Sequence, residues 1–138
     1  MKKIFILFFI LSCLISCGPF NWSAFNQGMI NALNMTQFSQ VSGGIVIAED
    51  GTYLGKITNR YDIESIFNES GEYGSSYSLK SIWNKYSTYG SQFSSFSPFN
   101  SYTSTPPKIY KNGIFIGYLS VNKYLANSIS PYMLSSYF

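Results

Sequence analysis

The hydrophobic residues of this chain change their spacing several times along its length. An unbroken apolar run, Ile4 to Leu11, follows Met1, Lys2 and Lys3. Phe25, Met29, Ile30 and Leu33 then fall at helical spacing in a stretch rich in Asn, Gln, Ser and Met. Apolar residues three or four apart line one face of a helix, so a short amphipathic helix is expected there. Two later segments are copies of one pattern: Asp50-Gly51-Thr52-Tyr53-Leu54-Gly55-Lys56-Ile57-Thr58 matches Asn112-Gly113-Ile114-Phe115-Ile116-Gly117-Tyr118-Leu119-Ser120. Apolar arms flank each copy, Gly44 to Ala48 and Tyr53 to Ile57 around the first, Ile109 to Tyr110 and Ile114 to Leu119 around the second. Asp-Gly and Asn-Gly are favoured central pairs of two-residue type I′ turns, so both segments predict β-hairpins. A lone hairpin is marginal in water, and the two are expected to pair into one antiparallel sheet of four strands. Gly55 and Gly117, placed alike in the second arms, predict a bulge or a close backbone approach.

Between the hairpins, residues 65–104 repeat with a 16-residue step. Ser65-Ile66-Phe67-Asn68 recurs as Ser81-Ile82-Trp83-Asn84 and as Ser97-Pro98-Phe99-Asn100, Tyr73-Gly74-Ser75 as Tyr89-Gly90-Ser91, and Tyr77-Ser78 as Phe93-Ser94. Ser followed by Pro suits a helix start, because the hydroxyl accepts an orphan amide and proline's missing donor costs nothing there. Each unit is therefore expected to be a short helical turn followed by an extended Tyr-Ser segment. The fold class that results is α+β, with a small antiparallel sheet from two hairpins bracketing the Ser/Tyr-rich repeat. Residues 44–124 form the expected single domain, 17–43 a tether with a helical piece, and 125–138 a tail. The hairpins and the S-I-W-N and Y-G-S units together resemble a repeat module of uncharacterised bacterial exported proteins. That likeness covers about residues 45–124 and implies a shared fold, with no catalytic residue to carry over.

The basic flank, apolar run and small residues of positions 1–16 have the grammar of a signal peptide. The run is shorter than the roughly 20 residues a spanning helix needs. Leu14, Ile15, Ser16 and Cys17 resemble the lipobox of bacterial lipoproteins, which implies cleavage before Cys17 and acylation of that cysteine. Several acyl chains hold a protein firmly on a bilayer. Gly18 stands where an aspartate would, in some enteric bacteria, retain a lipoprotein at the inner membrane. The expected location is the cell envelope, at the outer membrane if the cell has one.

Removing residues 1–16 leaves seven cations against six anions, and near-neutrality argues against a nucleic-acid partner. All six acids lie between Glu49 and Glu72. With no histidine in the chain, and its two cysteines leaving with the signal or carrying lipid, His-based triads and His-bearing zinc sites are excluded. No cofactor motif or calcium loop is present, so neither a cofactor nor a metal is expected. Asp62, Glu64, Glu69 and Glu72 are near enough in sequence to consider a glycosidase-type carboxylate pair, although acids before a helical turn also stabilise its start. Asn68, Asn84 and Asn100 are read as turn-stabilising, because short amides bond local backbone. Tyr73, Tyr77, Trp83, Tyr86, Tyr89 and Phe93 are the candidate ligand-binding residues, with core packing as the competing use. The chain thus reads as a lipid-anchored envelope module with a structural or binding role, its partner an envelope glycan or an envelope protein. A carboxylate-pair enzyme and an accessory subunit of an envelope complex are the rivals.

The lipobox reading predicts a mature N-terminus at an acylated Cys17, which mass spectrometry will detect. Cys17→Ser should release the protein from the membrane fraction or stall its processing. Wild-type protein that retains residues 1–16 would contradict it.

Overall fold

The computed structural model describes residues 21–138. The segment read as a signal peptide and Cys17 lie outside them. Two compact units divide the chain after Leu33. In the described part of the first, Asn21 caps helix α1 (Trp22–Val41). Its Oδ1 accepts the Ala24 amide at 3.1 Å, satisfying an amide that the first turn leaves without an intrahelical partner. The helix spans most of the segment read as a tether. It carries no charged residue.

The second unit, Asn34–Phe138, holds the rest. Gly43 at φ +81° ends α1, with Ser42 donating back to the Phe38 carbonyl. Lys111 supplies the cation that α1 lacks, its Nζ donating to the carbonyls of Ser39 and Gln40 at 3.3 and 3.2 Å. Positive charge there complements the helix dipole.

Five strands follow, β1 (Ile45–Ile47), β2 (Tyr53–Lys56), β3 (Lys108–Lys111), β4 (Ile114–Leu119) and β5 (Ser128–Ile129), in the order β2-β1-β3-β4-β5. The two hairpins pair through β1 and β3, antiparallel, with Val46 opposite Ile109. The duplication extends to a bulge in each, where the register slips between Val46 and Ile47 and between Ile109 and Tyr110. Gly55 and Gly117 sit beside these slips, and both are close approaches. A Cβ on Gly55 would stand 2.8 Å from the Glu64 carbonyl oxygen, and one on Gly117 would stand 2.5 Å from that of Asn127.

The turn reading holds for one hairpin. Asn112 and Gly113 both have positive φ, as a type I′ turn requires, whereas in the first hairpin only Gly51 does. There Gly51 donates to Ala48 and Ala48 to Thr52, the bonding of a longer loop ending in a left-handed glycine. Asp50 instead uses its Oδ1 to accept the Thr52 amide at 3.0 Å. The sheet also gains a strand over the four expected. The segment read as a tail adds β5, parallel to β4, then the short helix α2 (Pro131–Ser135), and it contributes Ile129 and Leu134 to the core.

The repeat departs most from expectation. It contains no helix and no extended segment. Residues 59–103 instead form a continuous run of β-turns, each begun where the last ends: 59, 62, 65, 68, 71, then 75, 78, 81, 84, 87, then 91, 94, 97, 100 and 103. Four steps of three residues and one of four make sixteen. Nearly every hinge is Ser, Asn, Asp or Thr, whose side-chain oxygen accepts the amide two residues on, as Ser65 does from Phe67, Ser81 from Trp83 and Ser97 from Phe99, each at 3.1 Å. Such local bonds are what these residues offer in place of helix or strand, so the same hydroxyl that suggested a helix cap closes a turn.

Successive coils stack. Ile66 and Ile82 enter the aliphatic core with Val41, Val46, Leu54, Ile57, Ile109 and Leu119, all fully buried. Pro98 occupies the third place in that column and is also fully buried. The largest fully buried side chains are aliphatic or proline, and rings such as Phe38, Phe67, Trp83 and Phe99 pack around the core while only partly buried. The first coil pairs with the outer edge of β2 through Lys56 to Glu64 and Ile66 to Lys56 backbone bonds, covering an edge otherwise open to another strand.

Glycine is required at the four-residue step for space. A Cβ on Gly74 or Gly90 would lie 2.2 Å from the carbonyl oxygen of Asn68 or Asn84. Gly90→Ala should therefore destabilise the protein by about 1–3 kcal/mol in urea denaturation. A midpoint equal to wild type would show that this contact yields freely.

Candidate functional site

The 16-residue coil sorts side chains into columns. Ser65, Ser81 and Ser97 are buried. Asn68, Asn84 and Asn100 each donate from Nδ2 to the carbonyl six residues back, on Asp62, Ser78 and Ser94, at 3.1, 3.1 and 3.2 Å. Each Oδ1 accepts the amide two residues on, from Ser70, Tyr86 and Tyr102, at 3.1, 3.0 and 3.0 Å. Both ends of these amides are occupied by backbone, which is the turn-stabilising use read from the sequence.

The six candidate rings divide into two groups. Tyr73 packs edge-on against Tyr53 at 5.2 Å. Tyr89 donates from its hydroxyl to Asp50 Oδ2 or Thr52 Oγ1, at 2.8 and 2.9 Å, tying the second coil to the first hairpin. Trp83 donates from Nε1 to the Ile66 carbonyl of the preceding coil. These three rings are half-buried and hold the fold. Tyr77, Tyr86 and Phe93 are 84–90 % exposed, as are Tyr61 and Tyr102 in the same two columns. The exposure is periodic: Tyr61, Tyr77 and Phe93 are sixteen apart, and so are Tyr86 and Tyr102.

A third column, Phe67, Trp83 and Phe99, forms a ring ladder. Its centroids are 6.3 Å apart from Phe67 to Trp83 and 5.4 Å from Trp83 to Phe99. Tyr132 of α2 leans on Trp83 and Phe99 at 6.3 and 5.1 Å, while Phe138 stacks on Phe67 at 4.7 Å. Two open grooves of about 680 and 670 Å³ lie along this ladder. The first is lined by Arg60, Tyr61, Phe67, Glu69, Ser76 and Trp83 among others, the second by Trp83, Lys85, Tyr86, Gln92, Phe93 and Phe99. Their floors repeat one coil apart, Phe67 in the first corresponding to Trp83 in the second, Glu69 to Lys85, Ser76 to Gln92, and Trp83 to Phe99, while their rim rings differ. Trp83 belongs to both.

Of the sequence candidates, Trp83, Tyr86 and Phe93 line a groove, while Tyr73, Tyr77 and Tyr89 line neither. Phe67, Phe99, Tyr61, Glu69 and Lys85 were not singled out for the grooves. The 16-residue step had already aligned Phe67 and Phe99 with Trp83, and carrying it back from Tyr77 reaches Tyr61.

The four carboxylates considered for catalysis do not share a groove; Glu69 alone lines one. Glu64 pairs with Lys56 at 2.8 Å and Glu72 with Lys80 at 3.0 Å, while Asp62 Oδ1 accepts the Glu64 amide at 2.9 Å. Lys56, by hydrogen bond and charge, holds the Glu64 carboxyl below its usual range, the opposite of what a general acid needs. Burial, reinforced by Glu64, pushes the Tyr53 hydroxyl up to about 12. Lys108 pairs with Glu49 at 2.7 Å. Lys85 and Lys123 instead lie over the rings of Tyr86 and Tyr124, at 5.0 and 5.2 Å to the centroids. Among the described residues no three metal-ligating side chains cluster, and no helix is long and apolar enough to cross a membrane.

The chain matches no protein-family model, no curated protein and no solved structure.

Proposed function

We propose that this is a lipid-anchored binding module of the bacterial cell envelope, held on its membrane through Cys17, and that the twin grooves of the turn coil are its binding face for an extended envelope glycan. The observation that carries the reading is the repetition of one groove at a one-coil interval, floored by the ring ladder and rimmed by the exposed rings of Tyr61, Tyr86 and Phe93. A repeated receptor suits a repeated ligand. Aromatic rings provide broad, stiff contact surface at low entropy cost, and exposed rings in rows are uncommon on a protein that binds nothing. The centroid separations of 5.4 and 6.3 Å between successive rings of the ladder are close to the advance of one pyranose residue in an extended chain. Serine, asparagine and glutamine beside the rings suit a ligand rich in hydroxyls. The enzyme reading lacks a comparable support, because Glu64 and Glu72 are each paired with a lysine, Asp62 accepts a backbone amide and Glu69 alone lines a groove.

The experiment is retention on purified cell-wall glycan. Tyr86→Ala and Phe93→Ala remove exposed rings, so both variants should melt like wild type. Each truncation should cost about 1–2 kcal/mol, roughly ten-fold in affinity. Unchanged retention in the double variant would refute the glycan reading.

A further inference from the structure

The two grooves are alike in volume and in the column positions of their floor, and they differ in charge. At the position where the first carries Glu69, the second carries Lys85. The first groove also holds Arg60, so its lining includes one charge of each sign, whereas Lys85 is the only charged residue lining the second. Lys80, only five residues before it, is engaged with Glu72, and Lys56 and Lys108 are engaged with Glu64 and Glu49. Among the described residues no carboxylate lies within 4 Å of Lys85, and its Nζ rests over the exposed ring of Tyr86.

We propose that the two grooves take successive residues of one linear glycan in which neutral and acidic sugars alternate, the neutral residue in the first groove and the acidic residue beside Lys85 in the second. This rests on the glycan-binding reading above and names its ligand class. The ring ladder sets one sugar per coil, and the Trp83 indole, fixed by its bond to the Ile66 carbonyl, is shared by both seats. Charge then assigns the seats. The charges lining the first groove, Arg60 and Glu69, cancel, whereas the second is cationic through Lys85 alone. An acidic sugar therefore gains more in the second seat, and in the first it also meets the like charge of Glu69. A neutral sugar in the second leaves Lys85 without the partner that the groove admits. A uniformly acidic chain sets a second carboxylate against the balanced charges of the first seat, and a uniformly neutral one gains nothing from the second. Specificity of this kind comes as much from the repulsive group as from the attractive one. An extended peptide fits less well, because it binds by adding backbone bonds to a strand edge. Here two of the three amides in most steps of the coil are already taken, one by the β-turn bond and one by the hinge side chain.

The test titrates full-length protein in detergent with three oligosaccharides of equal length: hyaluronan, alternating N-acetylhexosamine and hexuronic acid; chitin, wholly neutral; and polygalacturonate, wholly acidic. Hyaluronan should bind about ten-fold more tightly than either of the others, and raising the salt should narrow its lead over chitin. Lys85→Gln should bring hyaluronan down to the chitin level at an unchanged melting temperature. Glu69→Gln should raise polygalacturonate affinity. If chitin equals hyaluronan on the wild-type protein, or if Lys85→Gln changes nothing, the charge assignment is overturned while the glycan reading stands. If none of the three binds, both are overturned.

Discussion

The constraint on which this structure depends is the hydrogen bond from a backbone amide to the side-chain oxygen of the residue two positions earlier. Over residues 59–103 the chain has neither helix nor strand, yet its backbone groups cannot be left without partners where the coil packs. Ser, Asn, Asp or Thr at nearly every third position solves this locally, each hinge accepting one amide while the β-turn bond accounts for another. No buried side-chain nitrogen or oxygen among the described residues is left without a partner. That leaves the intervening residues to alternate between core and solvent. Ile66 and Ile82 go inward, and Tyr77, Tyr86 and Phe93 go outward.

The single four-residue step in each coil converts a string of turns into a repeating object. It falls at Tyr73-Gly74 and Tyr89-Gly90, where the backbone passes so close to the asparagine of its own coil that no Cβ fits. The asparagine in turn reaches back six residues with its amide. Glycine and asparagine together therefore set the coil length. Coil length sets the columns, and the columns set the ladder of Phe67, Trp83 and Phe99. The grooves follow from that ladder. Their chemistry is independent of it, since Glu69 and Lys85 occupy one column and make no bond that the coil requires. This separation lets a fixed scaffold carry two grooves of different charge.

Much of this was legible in the sequence. The hairpin copies, their pairing, the glycine bulges and the 16-residue period all follow from residue types whose backbone needs are distinctive. The I′ turn was right at Asn112-Gly113 and wrong at Asp50-Gly51, because an aspartate can also close a longer loop with its own carboxylate. The three-residue phase within the repeat was missed for a physical reason: serine occupies both hinge and exposed positions, as at Ser75 and Ser76 or Ser94 and Ser95, so density hides periodicity. Strand β5 is two residues long and has no alternation to read. Half of the aromatic candidates proved structural because a ring's fate depends on which turn position it occupies, and that requires the phase.

The most direct measurement of this account is the stability of Asn84→Asp as a function of pH. The substitution keeps the oxygen that accepts the Tyr86 amide and replaces the group that donates to the Ser78 carbonyl with an anion, at a site 5 % exposed. At pH 7 the variant should lose at least about 2 kcal/mol in urea denaturation. The new carboxyl is buried against a carbonyl, so its folded pKa lies above its unfolded value of about 3.9. Protonation restores a donor, and the deficit should shrink as the pH falls through that raised value. A variant within about 0.5 kcal/mol of wild type at pH 7, with no recovery in acid, would contradict the claim that the asparagine column sets the coil.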